Sequence, residues 1–128
     1  MTDTLDIAAA LDTAEAIARH AGAVLAEHYQ RPRAAHSKGA LIDLVTEADA
    51  AAEALIVAAL RAAFPDHHIH GEEGGGYGPA PDETPYHWYV DPLDGTTNFA
   101  HRFPIFSVSL ALSGPDLQPI LGVVHAPL

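Results

Sequence analysis

A change of hydrophobic period partway along the chain most limits what this sequence can fold into. In residues 4–30 apolar side chains recur at steps of three and four, the spacing of one face of a helix. From residue 67 onward they form short runs rich in β-branched and aromatic types, separated by glycine and proline. Helices followed by strands, rather than alternating with them, favour an α+β fold. The stripe of the first helix comprises Ile7, Leu11, Ala14, Ala18, Ala21, Leu25 and Tyr29.

A second helix is predicted to begin at Thr46 and to end at Pro65. Thr46 and Asp49 match the spacing of an N-terminal capping box, and proline cannot continue a helix. The preceding segment, 40–46, is predicted to be β-prone. We expect the two helices to pack on an antiparallel β-sheet. Its predicted strands are 67–73, 86–90, 105–112 and 119–128, with a flexible loop at 74–85 and a hairpin turn at 113–118.

Composition narrows the classes of function. The chain has 128 residues, one domain's worth at most, and no cysteine, which excludes a disulfide framework and a thiolate zinc site and is compatible with the cytoplasm. The first residues include acids and lack the basic n-region of a secretory signal peptide. No apolar run nears the ~20 residues that span a membrane. A formal charge of −11 argues against nucleic acid as a partner. An anionic partner would need another source of positive charge, such as a bound metal ion.

The segment "DPLDGTTNF", residues 91–99, predicts a site that binds metal and phosphate. Asp91 follows a predicted strand, Pro92 restricts the backbone, and Asp94 can turn back toward the same point. Two carboxylates on a stiff turn suit hard divalent cations, and the Leu93 carbonyl is a natural further ligand. Gly95 lets the backbone approach an anion closely, where a short helix is predicted to start. The Thr96 hydroxyl can orient a water molecule.

These motifs have other interpretations. An Asp-x-x-Asp turn by itself is most often a solvated turn. An EF-hand is excluded, because its third and twelfth positions would be Leu93 and Arg102. The glycines after residue 73 lack the Gly-Lys-Ser/Thr ending of a phosphate-binding loop. Zinc is an alternative for the histidines of the first predicted strand, although alternate strand residues face opposite sides, which favours a structural role. These histidines are His67, His68 and His70.

The order of "LVTEAD", "GEE", "DPLDGTTNF" and "PIFSVSLAL" resembles the inositol monophosphatase family, from about Lys38 to Pro127. The resemblance implies a magnesium-dependent, lithium-sensitive phosphatase with an α/β/α/β/α layered sandwich. Its N-terminal metal- and phosphate-binding part would correspond to residues 1–128. The family's remaining metal-binding aspartate lies in a second half that is not in this sequence, so we expect the chain to be part of a longer protein.

The resemblance also implies roles for single residues. Glu72 resembles a metal ligand and belongs to the catalytic set. Asp91 resembles the carboxylate that bridges two magnesium ions, and Leu93 resembles the residue that gives its carbonyl to the first. Asp94 resembles the ligand of the second ion and, with Gly95 and Thr96, the phosphate-binding segment. Thr96 paired with Asp49 resembles the residues that activate the attacking water.

Weaker implications concern Lys38, which matches a lysine near the metals, and Glu73, which would reach a third ion through water. The family relationship further implies two or three Mg²⁺ ions, a small phosphorylated substrate and a homodimer of the complete protein. Inositol monophosphate is the expected substrate. Histidinol phosphate, 3′-phosphoadenosine 5′-phosphate, a sugar phosphate, or an inactive fragment that only binds a cation are the alternatives.

Overall fold

The computed structural model describes residues 4–31, 38–72 and 75–128. Two long helices come first, and strands follow. The helices are α1 (Ile7–Gln30), α2 (Lys38–Ala63) and α3 (Thr96–Ala100). The strands are β1 (His68–His70), β2 (Gly76–Tyr77), β3 (His87–Asp94), β4 (Ser107–Ser113) and β5 (Pro119–His125), with a 3₁₀ turn at Pro115–Leu117 between the last two.

Helix α1 agrees with its periodicity, with one shift. Asp6 caps its start by accepting a hydrogen bond from the Ala9 N–H at 3.1 Å. The predicted stripe is buried from Ala14 onward, whereas Ile7 and Leu11 remain exposed. The buried face begins at Ala10, four residues before Ala14, and includes Ile17, which lies three residues after Ala14 and four before Ala21 on the same side of the helix. The remaining buried apolar residues of this face are Leu25 and Tyr29.

The predicted start of α2 is wrong. The helix begins at Lys38 rather than at Thr46, so the segment expected to be β-prone is helical. Thr46 is inside the helix, where its hydroxyl donates to the Ile42 carbonyl at 2.8 Å instead of capping. Leu44 and Val45 pack against the core. That burial outweighs the weak strand preference of Val45, and leucine itself favours a helix. The end of the helix, at Ala63 before Pro65, is as predicted.

The strands of the described residues form one five-stranded sheet in the order β2-β1-β3-β4-β5. The expectation of an antiparallel sheet is correct for three of its four strand pairs. The exception is β1 with β3, which run parallel with His68 opposite His87 and His70 opposite Tyr89. Strand β2 lies within the predicted loop and pairs Tyr77 with Ile69. The architecture is helices on a mixed, mostly antiparallel sheet.

The core lies between the two long helices and the sheet. Trp88 and Leu93 of β3, together with Leu110 and Leu112 of β4, are nearly inaccessible to water. Tyr29 of α1 joins Phe99 and Phe106 in an aromatic cluster with ring centroids 5.0 to 5.5 Å apart. This packing fixes α3 against α1. Across the part of the chain that the structure describes, no helix has the length and apolarity that a membrane crossing requires.

A β-bulge near the end of β3 gives the site its shape. Asp91 pairs with Ser109 and Asp94 with Ser107, so three steps along β3 match two steps along β4. The extra residue bends the strand, and Pro92, which has no N–H to donate, lies within the irregular stretch. Leu93 anchors the bulge by pointing into the core. The chain then turns at Gly95 into α3.

Candidate metal and phosphate site

Asp91, on the bulge, lies in an environment that is unfavourable for its negative charge. Burial raises the pKa of its carboxyl, and the charge of nearby Asp94 raises that pKa further. Hydrogen bonds from the Leu93 N–H and with the Glu72 carboxyl oppose the rise. The other feature of Asp91 is its Oδ1 atom, which is buried without a hydrogen-bond partner among the described residues. A buried oxygen of this kind is expected where a ligand supplies the missing contact.

Glu72 reaches Asp91 because β1 and β3 are parallel neighbours. His70 pairs with Tyr89, and Glu72 and Asp91 each lie two residues further along their chains, at the same edge of the sheet. Glu72 lies in a turn after β1 that is closed by a hydrogen bond from the Gly71 N–H to the Gly75 carbonyl at 2.9 Å. The parallel pairing that the sequence pattern did not predict is therefore what brings these two predicted ligands together.

The donor chemistry of this edge fits a hard divalent cation. A hydrogen bond between two carboxyl groups needs a proton on one of them, whereas a dication would satisfy both carboxylates in their charged forms. Oxygen donors in a chain without cysteine favour magnesium-like ions over soft metals. Within residues 4–31, 38–72 and 75–128, however, no group of three or more His, Asp or Glu side chains is placed so that it could hold an ion by itself. Further oxygen donors are required, for which the Leu93 carbonyl is a candidate.

Gly95 and Thr96 continue directly from these acids. Gly95 has φ of +93°, a left-handed conformation that favours glycine, and a Cβ there would come within 3.1 Å of the Ile105 carbonyl oxygen. Asn98 donates to that same carbonyl at 2.9 Å and so ties α3 to the chain before β4. Thr96 is exposed. The expected short helix after the acidic turn is confirmed, whereas the phosphate-binding role of this segment stays a prediction.

Asp49 and Thr96 lie on neighbouring walls of the same region. Thr96 of α3 lines a cavity of about 230 Å³ together with Val45 and Thr46 of α2. Asp49 lines an adjacent cavity of about 310 Å³ that shares Val45 and Thr46 and includes Glu53. The fold thus places both members of the predicted pair near one face of α2. Their direct pairing stays a prediction. Glu73 and the Lys38 side chain lie outside the described residues.

Glu53 is a residue of this region that the sequence interpretation did not single out. Its Oε1 accepts a hydrogen bond from the Glu72 N–H at 3.0 Å, and its Oε2 accepts one from the Tyr77 hydroxyl at 3.4 Å. The available signal was its position four residues after Asp49 on α2, which places both acids on one helical face.

The histidines have the structural role that the strand pattern favoured. His67 accepts a hydrogen bond from the buried Trp88 Nε1 at 3.0 Å. His70 and His87 join through ring nitrogens 2.9 Å apart, and His87 Nε2 lies 2.9 Å from the Pro81 carbonyl. His68 Nδ1 lies 2.8 Å from the Pro79 carbonyl. These contacts attach the loop before β3 to the sheet, and the part of the chain that is described offers no three-ligand zinc cluster here.

Comparisons with known proteins agree with this geometry. The sequence profile described as "Inositol monophosphatase family" matches residues 6–128. The chain is 44% identical over 107 residues to the "Inositol-1-monophosphatase" of Synechocystis sp., covering 84% of this chain and 36% of that protein. It is 58% identical over 69 residues to the "Nus factor SuhB" of Pseudomonas aeruginosa, covering 54% of this chain and 26% of the relative.

A solved structure, inositol monophosphatase from Anabaena (Nostoc) sp. PCC 7120, superposes with a TM-score of 0.73 at 39% identity, covering 96% of this chain and 42% of that one. This chain therefore spans less than half the length of these relatives. The family profile covers the acidic edge described above. The chain belongs to the inositol monophosphatase family.

Proposed function

We propose that the protein containing this chain is a metal-dependent phosphatase that hydrolyses a small phosphate monoester. The observation that carries this proposal is the crowding of carboxyl groups at the end of β3. Glu72 and Asp94 both act on Asp91, whose Oδ1 is buried without a partner in the described part of the chain. Membership of the inositol monophosphatase family supports the same activity.

The proposed cofactor is Mg²⁺, with two or three ions in the complete protein. Glu72, Asp91 and Asp94 would supply carboxylate oxygens, and Leu93 would supply its carbonyl oxygen. When bound, such ions lower the pKa of a water molecule and stabilise charge on the leaving oxygen. Hard oxygen donors and the absence of cysteine from the sequence support magnesium rather than a soft metal.

The chain's own residues are proposed to hold the substrate and to direct the proton of the attacking water. Asp49 would accept a hydrogen bond from the Thr96 hydroxyl, which leaves the Thr96 oxygen to accept one from that water. The N–H groups of Gly95 and Thr96 would hold the phosphate oxygens. The fixed turn at Gly95 keeps these donors in place before the substrate arrives, which lowers the entropy cost of reaching the reactive geometry.

Inositol monophosphate is the first substrate to test, on the strength of the family assignment. The alternatives are histidinol phosphate, 3′-phosphoadenosine 5′-phosphate and a sugar phosphate. We also propose a homodimer of the complete protein in the cytoplasm and inhibition by lithium. An acidic chain with net charge −11 supports a small ligand over nucleic acid.

The decisive experiment is phosphate release by the purified natural polypeptide that contains this chain. Inositol 1-phosphate and the three alternatives are supplied in turn, after treatment with chelator and again after addition of Mg²⁺. We expect activity to vanish with chelator and to return with Mg²⁺, highest for the inositol ester. Full activity after exhaustive metal removal would refute the metal mechanism, and inactivity toward every ester would refute the phosphatase.

Residues 1–128 alone are proposed to bind Mg²⁺ weakly and to hydrolyse little. The described residues gather too few side-chain ligands for an ion, which supports a need for donors from elsewhere. Calorimetric titration and a phosphate-release assay on residues 1–128 test this. Turnover equal to that of the complete polypeptide would show that these residues hold a whole active site.

A further inference from the structure

We propose that Glu53 is a positioning residue that holds the Glu72 turn in register with Asp91. Its effect on the metal site rests on the proposed function, whereas its effect on the turn does not. Glu72 lies shortly after β1 and next to Gly71, whose N–H donates to the Gly75 carbonyl. Without an external anchor, the permissive backbone of the neighbouring Gly71 would allow several positions of the Glu72 side chain.

The anchor is a carboxylate with a separate donor on each oxygen. Glu53 Oε1 accepts from the Glu72 N–H at 3.0 Å, and Oε2 accepts from the Tyr77 hydroxyl at 3.4 Å. Glu53 therefore joins the turn to β2, the strand that follows it. Gly71 approaches closely, because a Cβ added there would lie 3.1 Å from Glu53 Oε1. The donors, the close approach and the half-buried side chain fix the position of the Glu72 backbone.

Glu53 lies on the same face of α2 as Asp49, so the contact with Glu72 links two parts of the proposed site. Glu53 follows Asp49 by one helical turn, and both line the cavity of about 310 Å³ beside α2. The helix is a rigid element of 26 residues. One face of α2 thus fixes the proposed water-orienting acid, Asp49, and the turn that carries the proposed metal ligand, Glu72. The spacing between the two parts is set by the helix and not by the turn.

The chemistry predicts a graded response to substitution. A carboxylate accepts hydrogen bonds on both oxygens, whereas the amide of Glu53→Gln keeps one acceptor and turns a donor toward the other partner. Glu53→Gln can therefore keep the Glu72 contact through a neutral and weaker acceptor, and its amide N–H can donate to the Tyr77 hydroxyl oxygen. Glu53→Ala loses both. Tyr77→Phe removes only the second donor. We expect the order of effects on the turn to be Glu53→Ala, then Glu53→Gln, then Tyr77→Phe.

The first test is amide hydrogen exchange of the natural polypeptide without metal. Exchange at Glu72 should be faster by about tenfold or more in Glu53→Ala, as expected when a hydrogen bond to a charged acceptor is lost. The matched control is Glu47→Gln, which removes another α2 carboxylate, exposed and 3.8 Å from Arg31, and should leave the Glu72 rate unchanged. Should Glu53→Ala fail to fold, Glu53→Gln carries the test with a smaller acceleration. Wild-type exchange at Glu72 in a folded Glu53 variant would overturn the proposal.

The second test separates a positioning role from a purely structural one. In Glu53→Gln the Mg²⁺ concentration for half-maximal phosphatase activity should rise about 10- to 100-fold, the range for residues that orient metal ligands. Turnover at saturating Mg²⁺ should stay within about threefold of wild type, because Glu53 does not touch the reacting atoms. Equal loss of turnover at every Mg²⁺ concentration would overturn the positioning role. If the wild-type polypeptide is no phosphatase, the exchange result still decides whether Glu53 holds the turn.

Discussion

The two ends of β3 differ in whether their buried polar atoms have hydrogen-bond partners among the described residues. At the start, Trp88 is fully buried and its Nε1 donates to His67 Nδ1 at 3.0 Å. His67 in turn stacks on Phe64 and lies against Tyr86, with ring centroids 4.9 Å away in both cases. Three residues further on, Asp91 has a buried oxygen without a partner in the described residues and a second acid nearby.

This difference separates stability from function within one strand. A buried polar group with a partner stabilises the fold, whereas a buried charge without one lowers the free energy of unfolding. The start of β3 therefore contributes to stability whatever is bound. The buried Asp91 oxygen at the end of β3 lowers the free energy of unfolding of the metal-free protein, and a bound cation would remove that loss of stability. Substitutions at the two ends should consequently move activity and stability in different directions.

The largest expected effect is on activity, at the end of β3. Asp91→Asn keeps the shape of the side chain and removes the charge that would bind the ions. Activity of the complete polypeptide should fall by about 10²-fold or more, since even residues behind the ligands are worth about 10- to 100-fold. The free energy of unfolding of the metal-free protein should stay the same or rise. Phosphate release and urea denaturation measure the two quantities, and normal turnover in a folded variant would contradict the assignment.

A second prediction concerns stabilisation by the cofactor. Mg²⁺ at about 100 times its dissociation constant should raise the free energy of unfolding of the complete polypeptide by about 2.7 kcal/mol. The rise should be much smaller in Asp91→Asn, since the binding site has lost a charge. Urea denaturation with and without Mg²⁺ checks both proteins. An equal rise in the two would place the stabilising ion elsewhere.

Much of this arrangement could be predicted from the sequence, because its signals are local. The helical stripe of α1 and the acidic motif at residues 91–94 are short-range patterns. The stripe is buried from Ala14 onward, whereas the two aspartates lie within β3, around its bulge, rather than on a turn after the strand. The start of α2 was mispredicted, because the burial of Leu44 and Val45 depends on the rest of the fold. Helix and strand propensities of single residues do not include packing against distant parts of the chain.

The arrangement of the site depended on long-range contacts that no local pattern contains. Glu72 and Asp91 meet because β1 and β3 are parallel, and strand order is not visible in a run of β-branched residues. Glu53 acts on a turn 19 residues away in the chain. The sequence motif therefore indicated candidate acids, whereas the sheet topology determined which of them touch.

A third prediction tests the start of β3, where the Trp88 N–H has a hydrogen-bond partner. His67→Leu leaves the Trp88 N–H buried without an acceptor, which should lower the free energy of unfolding by about 1–3 kcal/mol. His67→Gln can still present an acceptor oxygen and should lose less. His20→Leu, at an exposed position on α1, is a control that should have little effect. Urea midpoints rank the three variants. Equal stability of His67→Leu and wild type would show that the Trp88 contact contributes nothing.

The smallest expected effect is on the pH dependence of stability, again at the start of β3. Burial lowers the pKa of His67 below 6.5, and the weaker influence of Asp66 opposes this. The neutral ring is also the form that accepts the Trp88 N–H, so His67 carries its proton on Nε2. As the pH falls below about 6.5, His67 becomes protonated in the unfolded chain, whereas it stays neutral in the folded state. Stability contributed by His67 is therefore full above that pH and decreases as the pH falls toward the lowered folded pKa.

Urea midpoints at pH 7.5 and 5.5 should differ more for wild type than for His67→Gln, which has no proton to gain at this position. The same difference in both proteins would show that His67 is not responsible for the loss.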